Sequence, residues 1–203
     1  MKRFNIPFSP PDMTEAEVNE VKEAILSGWI TTGPRTKELE RQIASYVGTE
    51  RAVCLNSATA CMEMALQLLG IGAGDEVIVP AYTYTASASV IDHVGAKIVF
   101  IDSQKDSLEM DYDAVEKAIN ERTKAIIPVD LAGIPCDYNR IFEIVSRKKT
   151  LFDPTTDLQL KIGRIAICAD AAHAFGASWR GKMVGSIADF TSFSFHAVKN
   201  FTT

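Results

Sequence analysis

The sequence lacks the features that mark several large classes of protein. No run of about 18 apolar residues occurs, and no apolar stretch of signal-peptide length precedes the first prolines. Lysine and arginine are scattered rather than clustered, and the net charge is -5, which argues against nucleic acid as a partner. These absences predict a cytoplasmic protein that binds neither membranes nor nucleic acid.

Cysteine, glycine and proline are also sparse. The four cysteines form no C-x-x-C pair, so we expect free, buried side chains at Cys54, Cys61, Cys136 and Cys168. No histidine or carboxylate spacing is typical of a metal site, so we expect no bound metal. With only 12 glycines and 8 prolines, no biased segment and 47% hydrophobic residues, the 203-residue chain is predicted to fold around a substantial core.

The sequence does contain a regular alternation of strand and helix patterns. Strands are predicted over 52–55, 76–79, 97–101, 125–129 and 164–168. Helices are predicted from a capping box at Thr14 to about 27, after Pro34 to Val47, and over 58–69, 85–94, 111–120 and 136–148. Apolar strands separated by amphipathic helices indicate an α/β fold with a mostly parallel sheet sandwiched by helices.

Two further segments interrupt this alternation. Residues 149–163 are predicted to form a loop or an exposed insertion, because Asp153-Pro154 and two threonines break the helical pattern. Residues 179–182 are predicted to form the tip of a hairpin between two short strands.

Polar residues follow several of the predicted strands. Ligands of parallel α/β sheets bind outside the carboxyl ends of the strands, so these positions are the candidate site. They are residues 56–60, 82–85, 170–173 and 192–199.

Each of these segments, taken alone, has a structural as well as a functional interpretation. Residues 56–60 open a helix, where free amides could bind a phosphate or where Asn56 or Ser57 could simply cap the helix. Asp170 could cap a helix over 171–174 or present a charge to a ligand. Lys199 could be a solvated lysine, or a nucleophile whose pKa is lowered by the apolar residues near it.

The combination of these groups favours pyridoxal 5'-phosphate (PLP) as the cofactor. An anion-binding helix start would hold the phosphate, and an aromatic side chain would stack on the ring. An aspartate would keep the pyridine nitrogen protonated, and a lysine would form the Schiff base.

Five motifs carry a resemblance to a known family. They are residues 28–34 (GWITTGP), 56–60 (NSATA), 74–80 (GDEVIVP), 170–174 (DAAHA) and 194–199 (SFHAVK). Together they resemble the DegT/DnrJ/StrS sugar aminotransferases, a PLP-dependent family of fold type I. The likeness is greatest to the enzymes that aminate nucleotide-linked 4-keto sugars, including the one that makes 4-amino-4-deoxyarabinose.

The resemblance implies a role for each matched residue. Lys199 would be the Schiff-base lysine and proton shuttle, and Asp170 would pair with the pyridine nitrogen. The remaining cofactor contacts would be Ala58, Thr59 and Ser194 at the phosphate, Tyr84 on the ring and His173 beside it. Residues Thr31, Thr32 and Gly33 would lie near the sugar substrate.

The resemblance also implies the reaction and the organisation of the chain. Glutamate would donate the amino group to a nucleotide-linked keto sugar, in cell-surface polysaccharide or amino-sugar biosynthesis, within a homodimer. Dehydratases of the family replace the lysine with histidine, so Lys199 argues against dehydration.

Family members are nearly twice as long. We therefore expect an N-terminal helix and substrate loop over 1–35, a PLP-binding large domain over 36–203 that stops after the Schiff-base lysine, and no C-terminal small domain. The alternative is that the chain is a catalytically inactive PLP-binding or structural fragment.

Overall fold

The structure, a computed structural model, describes residues 5–7 and 9–203; residues 1–4 and Phe8 of the expected N-terminal unit lie outside them. The helices are α1 (Glu15–Leu26), α2 (Pro34–Val47), α3 (Ala58–Leu68), α4 (Thr85–His93), α5 (Tyr112–Ala118), α6 (Tyr138–Arg147) and α7 (Asp157–Ile162). The strands are β1 (Glu76–Pro80), β2 (Lys97–Ile101), β3 (Thr123–Ile126), β4 (Ala166–Asp170), β5 (Ser178–Trp179), β6 (Lys182–Met183) and β7 (Phe190–Ser192). Within the described residues, no helix has the length and apolar character needed to cross a lipid bilayer.

Five strands form one parallel sheet. Their order is β2-β1-β3-β4-β7, and the registers include Val77 opposite Ile98 and Cys168 opposite Phe190. The inner strand β1 is buried along its whole length, whereas β2 exposes Lys97 and Phe100 because it is an edge strand. The predicted α/β class with a mostly parallel sheet is confirmed, and so is the short hairpin, formed by β5 and β6.

Helices pack against both faces of the sheet, which gives three layers. Apolar side chains of α3 and α4 cover one face together with alternate strand residues; they include Met62, Leu66, Val90 and Ile91. The other face is covered by α5 and α6, with Val115, Tyr138, Ile141 and Ile144 among the buried residues. A sheet covered on both faces is a rigid support for groups that follow its strands.

The amino ends of the strands carry a buried ionic cluster. Glu76 is only 2% exposed, and its carboxylate accepts hydrogen bonds from Asn120 Nδ2 at 2.7 Å, Lys97 Nζ at 3.0 Å and Arg122 Nε at 3.0 Å. These hydrogen bonds lower the pKa of Glu76, despite the opposing effect of burial. The cluster joins β1, β2 and the turn before β3, at the edge opposite the candidate site.

The helix boundaries confirm two sequence signals. Thr14 caps α1 in a capping box with Glu17, and Gly48 ends α2 with a φ of 77°. None of the α1 residues is buried, so its apolar side chains, such as Val18 and Ile25, are exposed in this chain.

The predicted strand at 52–55 is wrong. A strand needs a neighbour for its backbone hydrogen bonds, and none of the described strands pairs with this segment. The amide of Cys54 instead donates to Glu40 Oε1 at 3.0 Å.

The interpretation of residues 149–163 as a loop also needs correction. A 3-10 turn at Lys149–Leu151 precedes α7, which begins after the N-cap Thr156 and ends at Gly163 with a φ of 69°. Buried Gln159 donates to the carbonyl of Leu69 at 2.8 Å, which fixes α7 against the end of α3. Thr156, one of the two threonines that follow Pro154, is therefore a helix cap.

Candidate active site

The predicted site residues lie where strands of the sheet end. Asp170 is the last residue of β4, which pairs with β7 so that Asp170 lies opposite Ser192. Ser194 follows β7, and Tyr84 precedes α4 after β1. Because all these strands are parallel, the residues share one edge of the sheet.

Asp170 is a buried carboxylate with one donor on each oxygen. Its side chain, in a residue 5% exposed, accepts a hydrogen bond from Ser87 Oγ to Oδ2 at 2.6 Å and from the amide of Ala172 to Oδ1 at 3.1 Å. A turn rather than the predicted helix follows at 171–174. Among the described residues, no lysine, arginine or histidine forms an ion pair with this carboxylate. A buried carboxylate without a cation can pair with a protonated ligand nitrogen.

An aromatic cluster fixes the segment that carries Lys199 beside Asp170. The ring of Phe175 lies 5.1 Å from those of Phe195 and Phe201, which flank the lysine on either side. In addition, Asn200 Nδ2 donates to the carbonyl of Phe175 at 2.6 Å. The half-buried Lys199 therefore lies in a segment fixed to the loop that follows Asp170.

His173 is held as a neutral imidazole by its surroundings. The amide of Ala132 donates to His173 Nδ1 at 3.3 Å, so this nitrogen must be an acceptor and the proton lies on Nε2. Partial burial of the ring lowers the pKa of His173, and the nearby positive charge of Lys199 lowers it further, with a small opposing effect of Asp170. A neutral ring with Nε2–H can donate a hydrogen bond to a ligand.

The loop that contacts His173 is fixed by a second buried carboxylate. Asp130 is fully buried and accepts hydrogen bonds from the amide of Cys136 at 2.9 Å and from Tyr138 Oη at 2.8 Å. Burial raises the pKa of Asp130 to about 6. Within this loop Ala132 has a φ of 55°, an uncommon conformation for alanine that aims its amide at the imidazole.

The start of α3 is capped and also retains free amides. Ser57 is the N-cap, and its Oγ accepts from the amide of Ala60 at 3.1 Å. Across the described residues, the amides of Ala58 and Thr59 have no protein acceptor. The two interpretations of this segment are therefore compatible, because capping uses one amide and leaves two for an anion.

Two other predicted residues, Tyr84 and Ser194, lie outside these buried contacts. Tyr84 is 78% exposed, so in this chain nothing covers the ring that would stack on a cofactor. Ser194 is half-buried and accepts a 3.5 Å hydrogen bond from the amide of His196.

The predicted substrate loop, residues 31–33, has its described hydrogen bonds elsewhere than at the predicted cofactor residues. Thr31 and Thr32 are exposed, and the carbonyl of Thr32 accepts from Trp29 Nε1 at 3.1 Å. Within the described part of the chain, no hydrogen bond joins residues 31–33 to Asp170, His173 or Lys199.

The sequence did not predict three residues that position the site. Ser87 bonds Asp170, Ala132 bonds His173, and Asn200 bonds the carbonyl of Phe175. Asn200 adjoins the SFHAVK motif, so its position could have been noted. The bond from Ser87 to Asp170 joins residues 83 positions apart, and the local sequence carries no signal for it.

Comparisons with known proteins agree on one family. The sequence model of the "DegT/DnrJ/EryC1/StrS aminotransferase family" matches residues 11–203. The UDP-4-amino-4-deoxy-L-arabinose–oxoglutarate aminotransferase of Shewanella sediminis is 40% identical over 98% of this chain and 47% of its own length. The spore coat polysaccharide biosynthesis protein SpsC of Bacillus subtilis is 38% identical over the same shares of the two chains.

Solved structures share the fold. The PLP form of Spr1654 from Streptococcus pneumoniae superposes with a TM-score of 0.97, at 61% identity over 98% of this chain and 51% of that chain. Another solved structure that matches this chain is that of 3-amino-5-hydroxybenzoic acid synthase, with a TM-score of 0.83 and 34% identity over 95% of this chain and 47% of the synthase. The chain thus spans about half the length of the relatives it matches. On the match to residues 11–203 and these relatives, the chain belongs to the DegT/DnrJ/EryC1/StrS aminotransferase family.

Proposed function

We propose that this chain is the PLP-binding part of an aminotransferase that moves an amino group from glutamate to a nucleotide-linked keto sugar. The observation that carries the proposal is the buried Asp170 carboxylate, without a cation among the described residues, beside the segment that presents Lys199. Burial of a carboxylate without a cation costs free energy, and pairing with a protonated pyridine nitrogen would offset that cost.

The residues present fit the cofactor at each of its polar groups. The free amides of Ala58 and Thr59 would hold the phosphate, where the helix dipole favours an anion, and Ser194 Oγ would add a donor. Asp170 would hold the proton on the ring nitrogen, and Tyr84 would cover a face of the ring.

The chemistry needs proton transfer beside the ring. Bound PLP supplies an electron sink that allows an amino group to leave one substrate and enter another. Lys199 would form the covalent attachment and move protons, and its positive charge helps to lower the pKa of the nearby His173. His173 would donate from Nε2–H, since its Nδ1 is occupied by the amide of Ala132.

The substrates are proposed from the relatives' names. The relative from Shewanella sediminis is named for UDP-4-amino-4-deoxy-L-arabinose and oxoglutarate, the keto acid that remains when glutamate loses its amino group. SpsC is named for spore coat polysaccharide biosynthesis. We propose an equivalent role for this chain in cell-surface polysaccharide or amino-sugar synthesis, with a 4-keto sugar on a nucleotide as acceptor and Thr31, Thr32 and Gly33 near the sugar.

We further propose that the chain acts in the cytoplasm, where nucleotide sugars are made, and that it forms a homodimer. The exposed apolar side chains of α1, among them Val18, Val21 and Ile25, are a surface that a second copy would cover. Sedimentation equilibrium of the purified chain tests the second statement, which a monomer at all concentrations would contradict.

A second candidate function is PLP binding without turnover. It is favoured by the 78% exposure of Tyr84 and by the lack of a hydrogen bond, among the described residues, between residues 31–33 and Asp170, His173 or Lys199, since an open site does not exclude water.

One experiment separates the two candidates. The chain is loaded with PLP and mixed with L-glutamate, and the loss of the cofactor's visible absorption band is followed together with 2-oxoglutarate release. The aminotransferase proposal predicts loss of the band in the wild type and none in Lys199→Ala. A wild type that binds PLP but leaves glutamate unchanged would contradict the transfer reaction and favour the second candidate.

A Lys182→Ala variant is the matched control. Lys182 is exposed on strand β6 of the hairpin, and within the described part of the chain its side chain forms no hydrogen bond or ion pair with a predicted site residue, so its loss changes the lysine count and leaves those contacts intact. This variant should react as the wild type does.

A further inference from the structure

Ser87 contributes a buried hydroxyl to the candidate site. It lies in the first turn of α4, is fully buried, and donates from Oγ to Asp170 Oδ2 at 2.6 Å. A short hydrogen bond from a hydroxyl to a carboxylate is among the stronger hydrogen bonds in proteins. The contact joins α4 directly to the carboxyl end of β4.

The two donors on Asp170 act on different oxygens. Ser87 bonds Oδ2, and the amide of Ala172, two residues along the chain, bonds Oδ1. The Ala172 bond is a local turn contact that holds the carboxylate plane at one oxygen only. The bond from Ser87 comes from another helix and therefore fixes that plane.

The hydroxyl of Ser87 is itself held in place. Thr83 Oγ1 lies 2.8 Å from Ser87 Oγ, and the amide of Ser87 donates to the carbonyl of Tyr84 at 3.1 Å. Because Ser87 Oγ donates to Asp170, Thr83 Oγ1 must be the donor in the bond between the two hydroxyls. The chain Thr83–Ser87–Asp170 thus links the loop that carries Tyr84 to the carboxylate.

We infer that Ser87 is a positioning residue for the cofactor: its hydroxyl orients the Asp170 carboxylate toward the protonated ring nitrogen. The inference rests on the proposed function, because it assumes that the ring is bound there. Removal of the hydroxyl leaves Asp170 with one local donor, so the carboxylate is less fixed. Thr83 acts through Ser87, and its loss should have a smaller effect.

The test compares four forms of the chain: wild type, Ser87→Ala, Thr83→Val and Ser89→Ala. Ser89 is the matched control, since it lies on the same helix and its hydroxyl donates only to the backbone carbonyl of Thr85, at 3.0 Å. Two readouts are measured on each form: the dissociation constant of PLP, from its visible absorption, and the 13Cγ chemical shift of Asp170 in the PLP-free chain at pH 7.

The inference predicts that Ser87→Ala weakens PLP binding roughly ten-fold and moves the Asp170 signal, with a smaller change of the same sign in Thr83→Val. Ser89→Ala should match the wild type in both readouts. Far-UV circular dichroism confirms that each form is folded, and Thr83→Val tests the chain of hydroxyls even if Ser87→Ala does not fold.

The outcomes separate this inference from the proposed function. A wild type that binds PLP, with equal affinity in Ser87→Ala, would overturn the inference and leave the proposed function standing. An unchanged Asp170 signal in Ser87→Ala would also overturn it, whether or not PLP binds. A wild type that binds no PLP would overturn both, and a moved Asp170 signal would then mean that the bond is purely structural.

Discussion

Replacing Phe175 by alanine should release the segment that carries Lys199 without unfolding the sheet. The Phe175 ring contacts Phe195 and Phe201 in that segment, each at 5.1 Å between centroids, and also packs on Tyr46 and Phe193 at 5.2 Å. Each aromatic pair contributes about 1 kcal/mol beyond its buried area, so the two pairs to the segment contribute about 2 kcal/mol. That free energy corresponds to roughly a 30-fold increase in the opening of residues 194–203.

Hydrogen exchange measured by mass spectrometry tests this prediction on the peptide that covers 194–203. Phe142→Ala is the control, because Phe142 lies on α6, packs under Arg164 at 4.8 Å and is remote from the site. We expect the control to lower the free energy of global unfolding in urea while leaving the peptide's exchange unchanged. If Phe175→Ala lowers global stability but leaves exchange in 194–203 at the wild-type rate, the reasoning about this cluster is refuted.

Three further substitutions test the packing and the buried charges. Burial raises the pKa of Asp130 to about 6, so the stability that its protonated form contributes is present below about pH 4 and is lost as the pH rises to 6. Between pH 4 and pH 7, the free energy of unfolding of Asp130→Asn in urea should therefore rise by about 2 to 3 kcal/mol relative to that of the wild type. Parallel pH profiles of the two proteins would contradict this prediction. Glu76→Gln should lower the free energy of unfolding by about 2 kcal/mol at pH 7 and by less in acid, where the wild-type carboxylate loses its charge. An equal loss at pH 3 would show that the ion pairs contribute little. Gly185→Ala should lower the melting temperature, because φ at Gly185 is 110° and the added methyl group would lie 3.0 Å from Val47 Cβ and 3.1 Å from Phe193 Cζ. An unchanged melting temperature would mean that the backbone relaxes freely.

The sequence predicted those helix ends and strands that depend on interactions between residues close together in the chain. The capping box at Thr14, the stop at Gly48 and the strand over 97–101 each arise from residues within a few positions of one another, and the structure confirms them. The strand predicted at 52–55 failed because pairing depends on a distant partner, and none of the described strands provides one. The strand predicted over 125–129 ends at Ile126 in the structure, because Pro128 lacks the amide hydrogen that strand pairing needs.

The candidate site could be placed from the sequence but not described in detail. The positions of Asp170, Tyr84 and Ser194 at one edge follow from the parallel topology, which the alternation of strands and helices predicted. Contacts across the sequence, such as Ser87 with Asp170 and Ala132 with His173, depend on how α4 and the loop after β3 pack on β4. Periodicity carries no information about such contacts, so the roles assigned to individual side chains remain predictions.

Covalent capture of the cofactor is the most direct test of the central claim. The purified chain is mixed with PLP and reduced with borohydride, and the modified peptide is identified by mass spectrometry, with Lys199→Ala and Lys182→Ala treated in parallel. The account predicts a pyridoxyl group on Lys199 alone, absent from Lys199→Ala and present in Lys182→Ala. Labelling spread over surface lysines, or none at all in the wild type, would contradict the claim that Asp170 and Lys199 form a PLP site in this chain.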